Sequence, residues 1–155
     1  MLLIVKKHGW RSYPAFLLLL VCLACLPAAA QKSGSEAKGY FTIENYYKIK
    51  WGYADEFIDL WKKNHYPLLK KAQEKGDIIS IMATKPQLHS GEDTRWDFKV
   101  SIVFKNIGLA FDPDLVTPYK AQLYPDADKL TRDEQHRFEL VIAHWDIPVA
   151  AVELR

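Results

Sequence analysis

Residues 95–105 read Arg-Trp-Asp-Phe-Lys-Val-Ser-Ile-Val-Phe-Lys, and their alternation decides the fold. Trp96, Phe98, Val100, Ile102 and Phe104 fall on one side. Arg95, Asp97, Lys99, Ser101, Val103 and Lys105 fall on the other. A period of two over this length predicts a strand with one buried face. Residues 40–51 repeat the pattern: Phe41, Ile43, Asn45, Tyr47, Ile49 and Trp51 share the inner face, and Asn45 is its one polar member. Tyr40, Thr42, Glu44, Tyr46, Lys48 and Lys50 share the outer face.

Between these strands the period changes. Phe57, Leu60, Trp61, Leu68 and Ala72 recur at helical spacing over 53–75, with acidic residues leading and lysines trailing, as the helix dipole prefers. Gly76 stops the helix. Pro67 lies inside it, lacks an amide proton and crowds the preceding turn, which predicts a kink near Asn64-His65-Tyr66. Ile78–Thr84 reads as a second strand, joined to 95–105 through a Pro- and Gly-punctuated loop. Residues 106–130 carry three prolines and predict an irregular stretch with short helical turns. Thr131-Arg132-Asp133-Glu134 has the form of a capping box, and Phe138, Val141, Ile142 and Trp145 follow on one helical face. Pro148 would end that helix, leaving Val149–Leu154 as a short last strand.

The order strand, helix, strand, strand, helix, strand over residues 39–155 is the split βαβ, ferredoxin-like arrangement: an α+β fold whose four-stranded antiparallel sheet has helices on one face. The uncovered face would carry Tyr40, Tyr46, Ile78, Met82 and Val103 among its charges, more apolar than a solvent face requires. In this the chain resembles the dimeric α/β-barrel superfamily, in which two such subunits join sheet to sheet. The resemblance implies a homodimer. It spans small monooxygenases of antibiotic biosynthesis, haem-handling enzymes and many proteins of unassigned role, so it bears on fold rather than activity. Some members use an Asn on the first strand, a Trp on the third and a His on the second helix. Asn45, Trp96 and either His136 or His144 stand at matching places here.

Residues 1–30 have the order of a secretory signal. Lys6, Lys7 and Arg11 lead, an apolar run from Ala15 to Leu26 follows, and Pro27-Ala28-Ala29-Ala30 ends it. The apolar run is shorter than the roughly 20 residues that cross a bilayer. The expected product is secreted or periplasmic, with residues 31–38 as a flexible polar spacer and no transmembrane segment. Leu23-Ala24-Cys25 offers an alternative, a lipid anchor at Cys25. Both cysteines, Cys22 and Cys25, lie in the signal, so the processed domain would have neither disulfide nor thiol. Of the 21 Lys and Arg in the chain, three are in the signal, leaving 18 against 19 Asp and Glu. That near-neutral balance lacks the basic field of nucleic-acid binders.

The candidate site residues are few. His65 stands one turn after Trp61 beside the proline kink, placed to project between helix and sheet or to cap a freed carbonyl. Tyr47, Asn45 and Trp96 share the expected inner face. His89 lies in the hairpin loop, and His144 sits near a helix end with Asp146. The histidines show no close pairing that would form a metal site. There is no Gly-rich phosphate loop, Ser elbow or HExxH motif. Three readings follow: an exported protein binding a small aromatic or apolar molecule; a cofactor-independent or haem-handling monooxygenase-like enzyme using Asn45, Trp96 and His144; and a structural envelope protein without ligand.

Overall fold

The computed structural model describes residues 39–88 and 90–152. The signal (1–30) with Cys25, the spacer (31–38) and His89 lie outside the described residues. Four strands, β1 (Phe41–Ile49), β2 (Ile78–Thr84), β3 (Phe98–Phe104) and β4 (Val141–Val149), form one antiparallel sheet in the order β2-β3-β1-β4. Helices cover one face. The expected ferredoxin-like α+β topology is therefore met.

The core lies where the alternation put it. Ile43, Tyr47 and Ile49 of β1 and Phe98, Val100, Ile102 and Phe104 of β3 are buried against Phe57, Ile58, Trp61, Leu69 and Ala72. The first helical segment is broken at the predicted place. It runs as α1 (Ala54–Leu60), a π-helical turn (Trp61–His65) and α2 (Tyr66–Lys75). Pro67 cannot donate to the Lys63 carbonyl four residues earlier, and its ring pushes that carbonyl aside. The Tyr124 hydroxyl donates to the orphaned Lys63 oxygen at 2.9 Å, a capping role that His65 does not fill. Gly76 ends α2 at φ 87°, a left-handed conformation open to glycine. The Gly76 and Asp77 amides donate back to Gln73 and Ala72 at 3.0 Å.

Three sequence expectations are corrected. The last helix, α5 (Ala127–Glu139), starts four residues before Thr131. Asp126 is its cap, accepting the Lys129 amide at 2.8 Å, whereas the Thr131 hydroxyl donates back to the Ala127 carbonyl at 2.9 Å. The expected capping box is therefore interior to a helix, where Thr bonds the preceding turn instead. Next, Val141–Val149 is a strand, not the end of that helix. Ala143, Trp145, Ile147 and Val149 alternate on one face, and β-branched residues supply four of its nine positions. Pro148 lies within β4, and the position of β4 at the edge of the sheet tolerates the missing donor. Finally, Ile78 is buried at 1 % exposure instead of lying on the bare face. The register shifts between Ile78 and Ser80, so that Ile78 and Ile81 both turn toward the helices.

The helix-free face carries Tyr46, Met82, Val103, Trp145, Ile147 and Val149 around a polar patch. In that patch Glu44 accepts from Tyr46 at 2.5 Å, Lys99 at 2.9 Å and Ser101 at 3.2 Å. The Tyr46 hydroxyl, then Lys99, holds the Glu44 carboxyl below its ordinary value. Two short helices, α3 (Ile107–Ala110) and α4 (Thr117–Leu123), occupy the stretch expected to be irregular. None of the described helices is long and apolar enough to cross a membrane.

Candidate functional site

A cleft of about 330 Å³ opens between the π-helical turn and the sheet. Its walls are Trp61, Lys62 and Tyr66 from the helices and Ile81, Ala83 and Phe98 from β2 and β3. The break at Pro67 shapes one wall. It places Trp61 in partial stack with Tyr66 at 5.8 Å and edge-on to Phe98 at 5.3 Å. The lining is mostly aromatic and aliphatic, as in small-molecule pockets, and Lys62 supplies its cation.

On the other side of Trp61 the helix–sheet interface becomes polar. Tyr47 on β1 stacks on His144 of β4 with ring centres 4.3 Å apart and packs on Phe57 at 5.0 Å. His144 Nε2 meets Asp146 Oδ1 at 3.0 Å. His65, at the end of the π-helical turn, lies 5.9 Å from the Trp61 ring. Burial drives the His65 pKa down to about 4, with Arg137, Lys120 and His144 acting in the same direction, so its imidazole is neutral at physiological pH. Burial also pushes the Tyr47 phenol up to about 12; Arg137 opposes the shift and Asp146 adds to it. The Trp61 indole N–H is near enough to favour the Tyr47 phenolate, yet it closes no hydrogen bond and remains unpartnered among the described residues. Beneath these groups lies Arg137 of α5, 3 % exposed, its guanidinium centred 5.8 Å from the Phe57 ring and 4.6 Å from the Phe138 ring.

Of the residues singled out by sequence, Tyr47, His65 and His144 are brought together here. His144 arrives on β4 rather than on a helix, which is why it stacks flat on Tyr47. Asn45 shares their face, but its amide is committed to the Val100 carbonyl at 3.0 Å. Trp96 is on the other face of the sheet. It meets Tyr46 edge-on at 5.7 Å, and Tyr46 in turn stacks on Trp145 at 5.6 Å. The ladder of β3 begins only at Phe98. Before it, Arg95 and Asp97 both turn to the end of β1, where Arg95 donates to the Ile49 carbonyl and Asp97 accepts the Ile49 amide at 2.7 Å. This turn leaves Trp96 on the opposite face. The grouping of Asn45, Trp96 and a helix histidine is therefore not assembled within the chain. His136, the other helix histidine, is on the surface and pairs with Glu56 at 2.8 Å. Arg137 and Lys120 were missed by sequence reading. The one signal for Arg137 was its place on the same face of α5 as Leu130 and Glu134, which is ambiguous in an amphipathic helix. No group of three or more His, Cys, Asp or Glu among the described residues is placed to hold a metal ion.

No protein-family model matches the chain, and no curated protein matches it in sequence. Among solved structures the chain is similar to a dimeric ferredoxin-like protein from an uncultured marine organism, with 8 % identity over 77 % of this chain and 95 % of that one, at a TM-score of 0.46. A cofactor-independent oxygenase from Streptomyces nogalater, SnoaB, matches at 8 % identity over 74 % and 95 %, with a TM-score of 0.42. A NIPSNAP family protein from Agrobacterium tumefaciens matches at 10 % identity over 74 % and 95 %, with a TM-score of 0.43.

Proposed function

We propose that this protein binds a small, flat, largely apolar organic molecule between its helices and its sheet. One observation carries the reading, the aromatic-walled cleft of about 330 Å³ against Trp61 and Phe98. A rigid ring fits such walls with little loss of conformational freedom, and burying it there releases water from both surfaces. The test is titration of the purified protein with neutral naphthamide, followed by Trp fluorescence and native mass spectrometry. Ala83→Trp fills the cleft from β2 and is expected to abolish uptake. Equal uptake by the variant would refute the placement.

The same reading takes the molecule to be an exported homodimer. Residues 1–30 supply the export signal. The helix-free face supplies the interface, since Met82 is 57 %, Ile147 42 %, Val149 39 % and Trp145 36 % exposed there. A second copy of that face would remove these side chains from water. An enzymatic reading has one support of its own, the His144–Asp146 pair stacked on Tyr47, which has the form of an oriented base. Turnover of a bound aromatic substrate that disappears in His144→Gln would decide for it.

A further inference from the structure

A second cleft, of about 230 Å³, lies at one end of the sheet, between the turn that follows β1 and the loop that joins β2 to β3. Lys50, Trp51 and Asp55 border it on the β1 side, and Lys85 and Trp96 on the other. It shares no lining residue with the cleft at Trp61.

Trp51 is the notable wall, because it is 62 % exposed and still held in place. Its indole N–H donates to Glu92 at 3.1 Å, and the Arg95 guanidinium lies 4.1 Å from its ring centre. Arg95 is itself fixed, at 4 % exposure. Its Nε donates to Glu92 at 2.8 Å, its Nη2 to the Ile49 carbonyl at 3.0 Å and its Nη1 to Asp97. Lys48 meets the other oxygen of Glu92 at 2.9 Å. A tryptophan with this much open surface gains little from burial, yet its position is set in advance. A flat ring can stack on such a wall without first ordering it. The cation already against the Trp51 ring opposes a second cation there and favours an electron-rich partner.

The charges around the cleft do not balance. Glu92 and Asp97 are taken up by Arg95 and Lys48. What remains is Lys50 and Lys85 against Asp55. Lys85 meets Asp55 at 3.3 Å between two largely exposed side chains, a contact of small worth. Lys50 forms no ion pair among the described residues. One cation is therefore in excess, which matches a ligand with a single negative charge. The volume falls short of the roughly 300 Å³ at which pockets for drug-sized molecules begin, which limits the occupant to about one ring.

We propose that this second cleft binds a small organic anion, one aromatic ring bearing a carboxylate, with the ring against Trp51 and the carboxylate met by Lys50 and Lys85. The site is independent of the one between helices and sheet, and stands whether or not that one takes a ligand.

The test titrates phenylacetate and its neutral counterpart phenylacetamide into the ¹⁵N-labelled full-length product and follows the indole N–H signals by NMR. Trp51→Phe identifies the Trp51 signal by its loss. Phenylacetate is expected to move that signal and to bind about fivefold more tightly than the amide, as two exposed lysines allow. The double variant Lys50→Gln, Lys85→Gln changes two exposed side chains and is expected to erase the preference while leaving amide binding in place. Ala83→Trp, which fills the cleft at Trp61, is expected to leave phenylacetate binding here unchanged. Equal affinity for acid and amide in the unsubstituted protein would overturn the proposal, and that comparison needs no variant. So would a preference that survives in the double variant, or a Trp51 signal that neither compound moves. Loss of phenylacetate binding in Ala83→Trp would place the acid in the other cleft and overturn this site while leaving that one standing.

Discussion

Acidification should weaken this fold between pH 6.5 and 4.5 through one side chain, His65. An imidazole in the unfolded chain titrates near 6.5, whereas burial and the Arg137 and Lys120 cations bring the folded value down to about 4. The folded state therefore binds fewer protons than the unfolded state between those values. Stability is full above the unfolded pKa and is lost as pH falls, until the folded value is passed. At pH 4.5 the unfolded imidazole is about 99 % protonated and the folded one about a quarter, so the loss between pH 7.5 and 4.5 is about 2.5 kcal/mol. Glu92, drawn down to about 2 by Arg95 and Lys48, and Asp133, held well below the usual range by Lys129 and Lys63, lose their contributions only as pH falls below their unfolded values. His136, raised by Glu56, is exposed and acts in the opposite sense. The assay is urea unfolding followed by Trp fluorescence at pH 7.5, 6.5, 5.5 and 4.5, for the parent protein and His65→Gln. The parent should lose about 2.5 kcal/mol more than the variant across the series. Parallel losses in the two proteins would show that His65 is not the buried neutral imidazole described here.

Further outcomes follow from the same packing. Phe57→Ala removes a ring with no exposed surface from the centre of the helix–sheet interface and should cost about 3–5 kcal/mol in chemical denaturation. Arg95→Met should cost about 3–5 kcal/mol, because it strands Asp97 and the Ile49 carbonyl at the end of β1. A loss under 1 kcal/mol would mean that those contacts are idle. Gly76→Ala forces a side chain into left-handed backbone at φ 87° and should destabilise by about 1 kcal/mol, read as a lower Tm. Trp145→Asp places a charge on the helix-free face and should turn a dimer into a monomer in light scattering. A parent protein that is already monomeric at micromolar concentration would refute the interface.

The elements read most plainly from sequence are those whose local pattern admits one period. β1 and β3 alternate strictly and allow no helical reading, and their partners across the sheet proved to be each other. The helix break at Pro67 and the stop at Gly76 were legible because both residues act through their own backbone. The last third of the domain was not legible in this way. Phe138, Val141, Ile142 and Trp145 satisfy a helical stripe, while Ala143, Trp145, Ile147 and Val149 satisfy a strand. Nothing local arbitrates between them. Pairing with β1 does, since an unpaired edge of β1 would leave its backbone donors and acceptors without partners. The site suffered from the same ambiguity. His144 changed element and gained Tyr47 as a neighbour, Trp96 crossed to the other face, and Arg137 carried no local mark at all.

By itself the sequence determined the order of strands and helices, the buried faces of β1 and β3, and the interruption beside His65, because hydrophobic period and backbone chemistry are local properties. Only the tertiary structure decided that Arg137 lies buried beneath Tyr47, His65 and Trp61, its Nε without a partner among the described residues. Desolvation and the absence of an opposing charge depend on residues up to ninety positions apart meeting across one interface, and no window of sequence contains that meeting.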